Sequence, residues 1–179
     1  TAPYTLEDMA ADSLGLLDTL GVARAHIVGA SMGSAIGQII AARHPGRTLS
    51  LTSIMSSSGN PLLPAPTALA AMALFAPLPP SLDKASMVAD GIRRHRALAS
   101  PGYPTDAADL ERLFSREYAR GFHPARVARQ LAAILANGDR RPLLQTIRVP
   151  TVVLHGADDP LIPPACGEDV AQHIPGAEL

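Results

Sequence analysis

The sequence predicts an α/β protein: a parallel sheet with flanking helices and an inserted block of helices. Three observations carry that prediction. Helix-like and strand-like patterns alternate over residues 1–59 and resume over 141–179, the rhythm of strands joined by crossover helices. The stretch between them, 60–140, offers helices and no strand candidate. Of the 179 residues, 47% are hydrophobic and 17% charged, a balance that supports a packed core and excludes intrinsic disorder. Fifteen basic residues against sixteen acidic ones leave a net charge of −1, with no excess to meet a nucleic-acid backbone. A single cysteine, Cys166, excludes an internal disulfide framework and most structural zinc sites. With three Phe, three Tyr and no Trp, the interior must be filled by aliphatic side chains.

The elements follow in order. Thr5 and Asp8 have the spacing of a capping box. Leu6, Met9, Ala10, Ser13, Leu14, Leu17 and Leu20 then recur at helical spacing, with Gly21 as the stop. The run Ala25-His26-Ile27-Val28, bounded by Gly29, reads as a short buried parallel strand. Ile36, Ile39 and Ile40 mark a helix over 32–42, ended by His44-Pro45-Gly46, and 49–55 is the next strand, closed by Ser56-Ser57-Ser58-Gly59. Prolines at 61, 64, 66, 77, 79, 80, 101 and 104 then break the chain around helix candidates at 83–99, 106–120 and 124–137. Thr151-Val152-Val153-Leu154-His155-Gly156 is a buried strand. An acidic, proline-rich turn and a helix over 165–173 follow, and Ala177-Glu178-Leu179 could begin another strand. The expected organisation is a core formed by 1–59 and 141–179, with 60–140 as a helical insertion. The apolar run at 65–80 is broken by prolines and too short for a membrane span. No signal peptide is visible, so the expected location is cytoplasmic.

The sharpest local signal is Gly29-Ala30-Ser31-Met32-Gly33, a G-x-S-x-G sequence. About 0.07 such matches are expected by chance in a chain of this composition, so its setting has to carry the reading. It lies directly after an apolar strand and directly before a helix, the strand–turn–helix context of a nucleophile elbow. The glycines suit a sharp turn that pushes the Ser31 hydroxyl out over the sheet edge. A side chain at Gly29 or Gly33 is expected to collide with its neighbours. The helix that follows aims its N-terminal N–H groups at the place where negative charge develops during acyl transfer, and Met32 N–H is a candidate oxyanion donor. The plainer reading of Ser31 is a helix-capping serine.

The second signal is His155-Gly156-Ala157-Asp158-Asp159-Pro160-Leu161-Ile162-Pro163. A serine nucleophile needs a histidine base, and that base needs a carboxylate. A carboxylate at the end of the next core strand would share the sheet edge with Ser31. On spacing alone either Asp158 or Asp159 could serve, and each could instead simply form the turn.

Together the two segments resemble the α/β-hydrolase superfamily, over essentially the whole chain. Within it the chain is most similar to capped serine esterases, including aclacinomycin-methylesterase-like and cofactor-free haloperoxidase-like members. In that family the second motif commonly reads H-G-x-x-D-x-x-x-P, which selects Asp159 as the triad acid, with Pro163 closing the pattern. The resemblance implies a partial α/β-hydrolase fold with a helical cap, and hydrolysis of a small-molecule carboxylic ester through an acyl-enzyme on Ser31. The sequence itself offers no P-loop, no G-x-G-x-x-G and no credible metal cluster, so no cofactor, no metal, and neither a nucleic acid nor a membrane is expected as partner. The resemblance also implies what lacks a counterpart here: the fold's first strands, the His-Gly loop holding the other half of the oxyanion hole, and the triad histidine, whose family place lies beyond Leu179. His26, His44, His95 and His123 do not match that place. His155 is expected to support the acid loop, and His173 sits on the intervening helix. The chain is thus expected to be cut at both ends, with missing segments or a second copy completing its sheet, and to be nearly inactive by itself.

Other activities use the same triad, namely perhydrolysis of the haloperoxidase-like kind and C–C bond hydrolysis, and a non-catalytic binding protein can keep the same fold. Dehalogenases and epoxide hydrolases of this family carry an aspartate where this chain has Ser31. Arg93-Arg94-His95-Arg96 reads as the solvated end of a cap helix. Met72, Leu74 and Phe75 read as cap packing or the wall of an acyl pocket. Cys166, at a helix start, has no base nearby in sequence.

Overall fold

The computed structural model describes residues 3–121 and 123–179. In chain order its elements are α1 (Leu6–Thr19), β1 (Ala25–Ala30), α2 (Met32–Arg43), a 3-10 turn (Pro45–Arg47), β2 (Thr48–Ile54), α3 (Ala68–Phe75), α4 (Lys84–Leu98), α5 (Ala107–Ala119), α6 (Pro124–Asn137), α7 (Arg141–Leu144), β3 (Thr151–Leu154) and α8 (Pro164–His173). Packing groups them into two compact units. One comprises Thr1–Pro64, Ala125–Ala157 and Ile162–Leu179; the other comprises Ala65–Pro124 and Asp158–Leu161.

In the first unit the strands form a parallel sheet in the order β1-β2-β3. The chain's last residues add a parallel bridge between Val152 and Glu178, with Val153 N–H donating to Glu178 O at 2.7 Å. The capping box at α1 is formed: Asp8 N–H donates to Thr5 Oγ1 at 3.2 Å and Thr5 N–H to Asp8 Oδ2 at 2.7 Å. The Thr5 N–H, and the Thr5 hydroxyl donating to the same Oδ2 at 2.8 Å, hold the Asp8 carboxyl below its ordinary value. Leu6, Ala10 and Leu14 of α1 pack with Ala35, Ile39 and Ile40 of α2, the helical spacing read from sequence. A second cluster joins Ala41, Leu51, Leu144, Ile147, Val153, Val170 and Ile174. Both clusters lie on the sheet face that carries Ile27, Leu51 and Val153. The strands are therefore buried on one face rather than two: Thr151 and Val153 are buried while Val152 and Leu154 are exposed.

Helix α6 falls within the 60–140 stretch assigned by sequence to the insertion, yet its Ala133 is buried in the α1–α2 cluster. In the second unit, α4 and α5 form a helix pair in which Val88 and Leu110 are buried. Helix α3 lies against α4 and buries Ala70 and Ala73. The sequence pattern did not single out α3. Its residues are all apolar, so it carries no amphipathic stripe to read, and prolines at 66 and 77 flank it. What starts it is Thr67, whose Oγ1 accepts from Ala70 N–H at 3.2 Å. What ends it is Arg94 of α4, which donates to the carbonyls of Ala73 (2.7 Å), Leu74 (3.3 Å), Ala76 (3.0 Å) and Pro77 (3.2 Å). Helix α7 is a single turn with Pro142 as its second residue, too short to show a period.

Candidate active site

The register puts Ala30, Ile54 and Leu154 on one level of the sheet. Ser31, Met55 and His155 are therefore the residues with which three adjacent strands leave its carboxyl edge. Hydrogen bonds continue across that level: Ser31 N–H donates to Ile54 O at 2.9 Å and Met55 N–H to Leu154 O at 2.8 Å.

Ser31 is exposed and sits at φ 52°, ψ −120°, a region that non-glycine residues rarely occupy and that costs about 1–3 kcal/mol. Its hydroxyl makes no capping bond to α2, so the plainer reading of a helix-capping serine is not realised. Among the described residues the non-glycine positions with positive φ are Ser31 and Met55, the latter at 40°, so both lie on this edge. A Cβ at Gly29 would overlap the Gly33 carbonyl oxygen, whereas one at Gly33 would meet nothing within 4 Å. The expected collision therefore holds at Gly29 and fails at Gly33. The reason is that Gly29 lies beneath the first turn of α2, while the open side of that turn is where a Gly33 side chain would point. Met32 is half-buried and packs against the α1–α2 cluster. As the first residue of α2, its N–H belongs to the set that has no partner within the helix.

His155 donates through Nε2 to Ile162 O at 2.6 Å, tying the strand exit to the far end of the turn, the supporting role its sequence position suggested. Asp159 is half-buried and Asp158 exposed. Asp159 belongs to the second unit, where its Oδ1 accepts from Leu161 N–H at 2.9 Å and Pro160 O accepts from Thr67 N–H at 2.9 Å. His173 lies at the end of α8 that leads into the Val152–Glu178 bridge. Its Nδ1 donates to Asp169 O at 2.7 Å.

Sequence reasoning missed the polar framework behind this edge. Arg140 is only 8% exposed. It donates through Nε to Gln38 Oε1 at 3.1 Å, through one terminal nitrogen to Asn137 Oδ1 at 2.6 Å, and through the other to Ser57 O. Asn137 in turn donates to Glu7 Oε2 at 3.3 Å. Burial pushes the guanidinium down to about 10, with Glu7 and Asp139 opposing that shift. Gln38 Nε2 reaches the hydroxyls of Ser34 and Ser53 at 3.4 Å each, and those hydroxyls bond one another at 2.5 Å. In the sequence Arg140 stands in an Asp-Arg-Arg run with no motif around it, and Ser56-Ser57-Ser58-Gly59 reads only as a strand terminator. Long-range pairing of this kind leaves no local signal. Among the described residues no group of His, Cys, Asp or Glu could hold a metal ion, and no helix is long and apolar enough to cross a membrane.

The strand–turn–helix arrangement at this sheet edge can be set beside known families. The family model for the alpha/beta hydrolase fold matches residues 1–179, and the chain belongs to that family. Individual relatives are more distant. Rhodomycin D methylesterase of Streptomyces peucetius is 28% identical over 196 residues, matching 99% of this chain and 65% of its own length. The 3-oxoadipate enol-lactonase 2 of Acinetobacter baylyi is 28% identical over 172 residues, matching 96% of this chain and 60% of its own. Among solved structures, the enol-lactonase from Burkholderia xenovorans LB400 superposes with a TM-score of 0.70 at 27% identity, covering 99% of this chain and 64% of that one. The chain thus spans less than two thirds of the length of these relatives.

Proposed function

We propose that the protein is a serine hydrolase acting on carboxylic esters, open-chain or cyclic. The observation that carries this is Ser31: exposed, strained, free of any capping bond and seated at the N-terminus of α2 on the sheet's carboxyl edge. Natural chains keep such strain where the surrounding structure over-determines it, and that happens at functional sites. The methylesterase and lactonase relatives give the substrate class, since both names describe cleavage of a carboxylic ester bond.

In this reading Ser31 Oγ attacks the acyl carbon while a histidine base takes its proton. The tetrahedral oxyanion is held by Met32 N–H and by a second amide from the segment preceding Thr1. The alkoxide leaves with the proton that the base returns, giving the acyl-enzyme, and a water molecule activated by the same base releases the acid. Asp159, by its place in the His155–Pro163 motif, orients that base. The base is assigned to sequence following Leu179, in keeping with the share of the relatives' length that the chain covers. The chain by itself is expected to turn over esters no better than its Ser31→Ala variant.

The test is labelling of the intact protein with a fluorophosphonate probe, followed by mapping of the modified residue. Modification at Ser31 is expected, with Ser31→Ala unlabelled and at least about 10⁴-fold slower in kcat. Folded protein that hydrolyses esters yet is not labelled at Ser31 overturns the assignment.

A further inference from the structure

Both backbone polar groups of Ser31 are held by the segment that leaves the neighbouring strand. Its N–H donates to Ile54 O at 2.9 Å, and its carbonyl accepts from the hydroxyl of Ser56 at 3.1 Å. That carbonyl also receives Ser34 N–H at 3.0 Å and Ala35 N–H at 3.2 Å, the bonds any residue at the head of a helix would receive. The Ser56 bond differs in kind because it comes from another strand. Between the two gripping residues lies Met55 at φ 40°, and that bend folds the chain back so that the Ser56 hydroxyl returns to the elbow. Two strained residues on adjacent strands thus share one clamp.

The clamp is itself anchored. Ser56 is buried. Ser57 O accepts from the Arg140 guanidinium and Ser58 O from Arg140 N–H at 2.8 Å. The Ser58 hydroxyl donates to the Asp169 carboxylate on α8, which also receives Asn60 Nδ2 at 3.3 Å. Gly59, at φ 80°, lies so close to the Gly138 carbonyl that no Cβ could be accommodated. A loop tied down at 57, 58, 59 and 60 cannot follow Ser56 if its bond to Ser31 is lost.

We propose that Ser56 is a positioning residue for the nucleophile: its hydroxyl, fixed by the Arg140-anchored loop, holds the Ser31 carbonyl and so keeps Ser31 in its strained conformation. The inference rests on the nucleophile reading above. The chemistry does not touch Ser56; the effect passes through the backbone of Ser31, where small misplacements of a reacting group are amplified in rate.

The experiment compares wild-type intact protein with Ser56→Ala, Ser56→Thr and Ser56→Cys by the rate of fluorophosphonate labelling at Ser31, by kcat and KM on an ester, and by Tm. Ser56→Ala is expected to slow both labelling and kcat about five- to tenfold, the loss of one hydrogen bond, with KM within about twofold. Ser56→Thr keeps the hydroxyl and restores the rate. Ser56→Cys keeps the volume with a weaker donor and falls between them, so it tests the same point if the alanine variant folds poorly. Labelling of Ser56→Ala or Ser56→Cys at the wild-type rate, with only Tm lowered, overturns the inference and leaves the nucleophile reading standing. Wild-type protein that is not labelled at Ser31 overturns the nucleophile reading and this inference with it.

Discussion

The first unit fills its interior with Leu6, Ile39, Leu51, Leu144, Ile147 and Val170 and threads a fully bonded polar chain from Glu7 through Arg140 to Ser53. The second buries Ala70, Ala73, Val88 and Leu110 and leaves Leu69, Met72 and Phe75 in the open, the last two 70% and 57% exposed. Its α3 is held at both ends by hydrogen bonds, one accepted by Thr67 and others donated by Arg94, rather than by burial of its large side chains. One region is therefore specified by close packing, which tolerates little change in volume. The other is specified by caps and a buried-edge ion pair, which leave its apolar side chains free to vary. Precision around Ser31 and latitude in α3 follow from those two ways of building.

The comparison breaks most readily at the elbow. Gly29→Ala drives a Cβ into the Gly33 carbonyl and is expected to destabilise the protein by about 3–5 kcal/mol. Gly33→Ala enters open space within a helix and is expected to stabilise by up to about 1 kcal/mol. Urea unfolding of the two variants measures the difference; equal losses would mean that the elbow is not close-packed.

A smaller effect separates the second unit. Arg94→Met removes the donors to four carbonyls at the end of α3 and is expected to cost about 1–3 kcal/mol. The loss should be confined to residues 65–124 in hydrogen exchange. The same guanidinium pairs with Asp90, Nε to Oδ2 at 2.6 Å. Burial pushes the Asp90 carboxyl up, but Arg94 and Arg93 outweigh it and hold it below its ordinary 3.8. Because the folded-state value is the lower one, this pair's stabilisation is present above pH 3.8 and disappears as pH falls through the folded value. Protection of α3 should fall in that acid window in the wild type, and Arg94→Met should weaken the pH dependence, leaving only what Arg93 contributes. Smallest of all, Met72→Ser is expected to change stability by less than about 0.5 kcal/mol. A larger loss in thermal melting would show that α3 is held by its exposed side chains after all.

Local signals were legible wherever a side chain acts on its own neighbourhood. The Thr5–Asp8 box, the alternation of helices and strands, the glycine beneath the elbow turn and the turn-forming His155–Pro163 segment all appear where the residue types put them. Helix α3 was missed because an all-apolar helix has no polar face to give it a period. The burial of the strands was overestimated because a run such as Val152-Val153-Leu154 reads as apolar whether one face or two are covered. Gly33 was misjudged because the motif treats its two glycines alike, while the turn of α2 crowds only Gly29.

By itself, then, the sequence determined the order of the elements, the caps that begin and end them and the serine that stands at the strand–helix turn, since each depends on residues within a few positions of one another. Only the tertiary structure decided that Ala30, Ile54 and Leu154 share one level, that Ser56 returns to Ser31, and that Arg140 is the buried tie behind them. Those contacts join residues 24 to 102 positions apart. Strand register and the burial of a charge are properties of the packed sheet, with no counterpart in the local pattern of the chain.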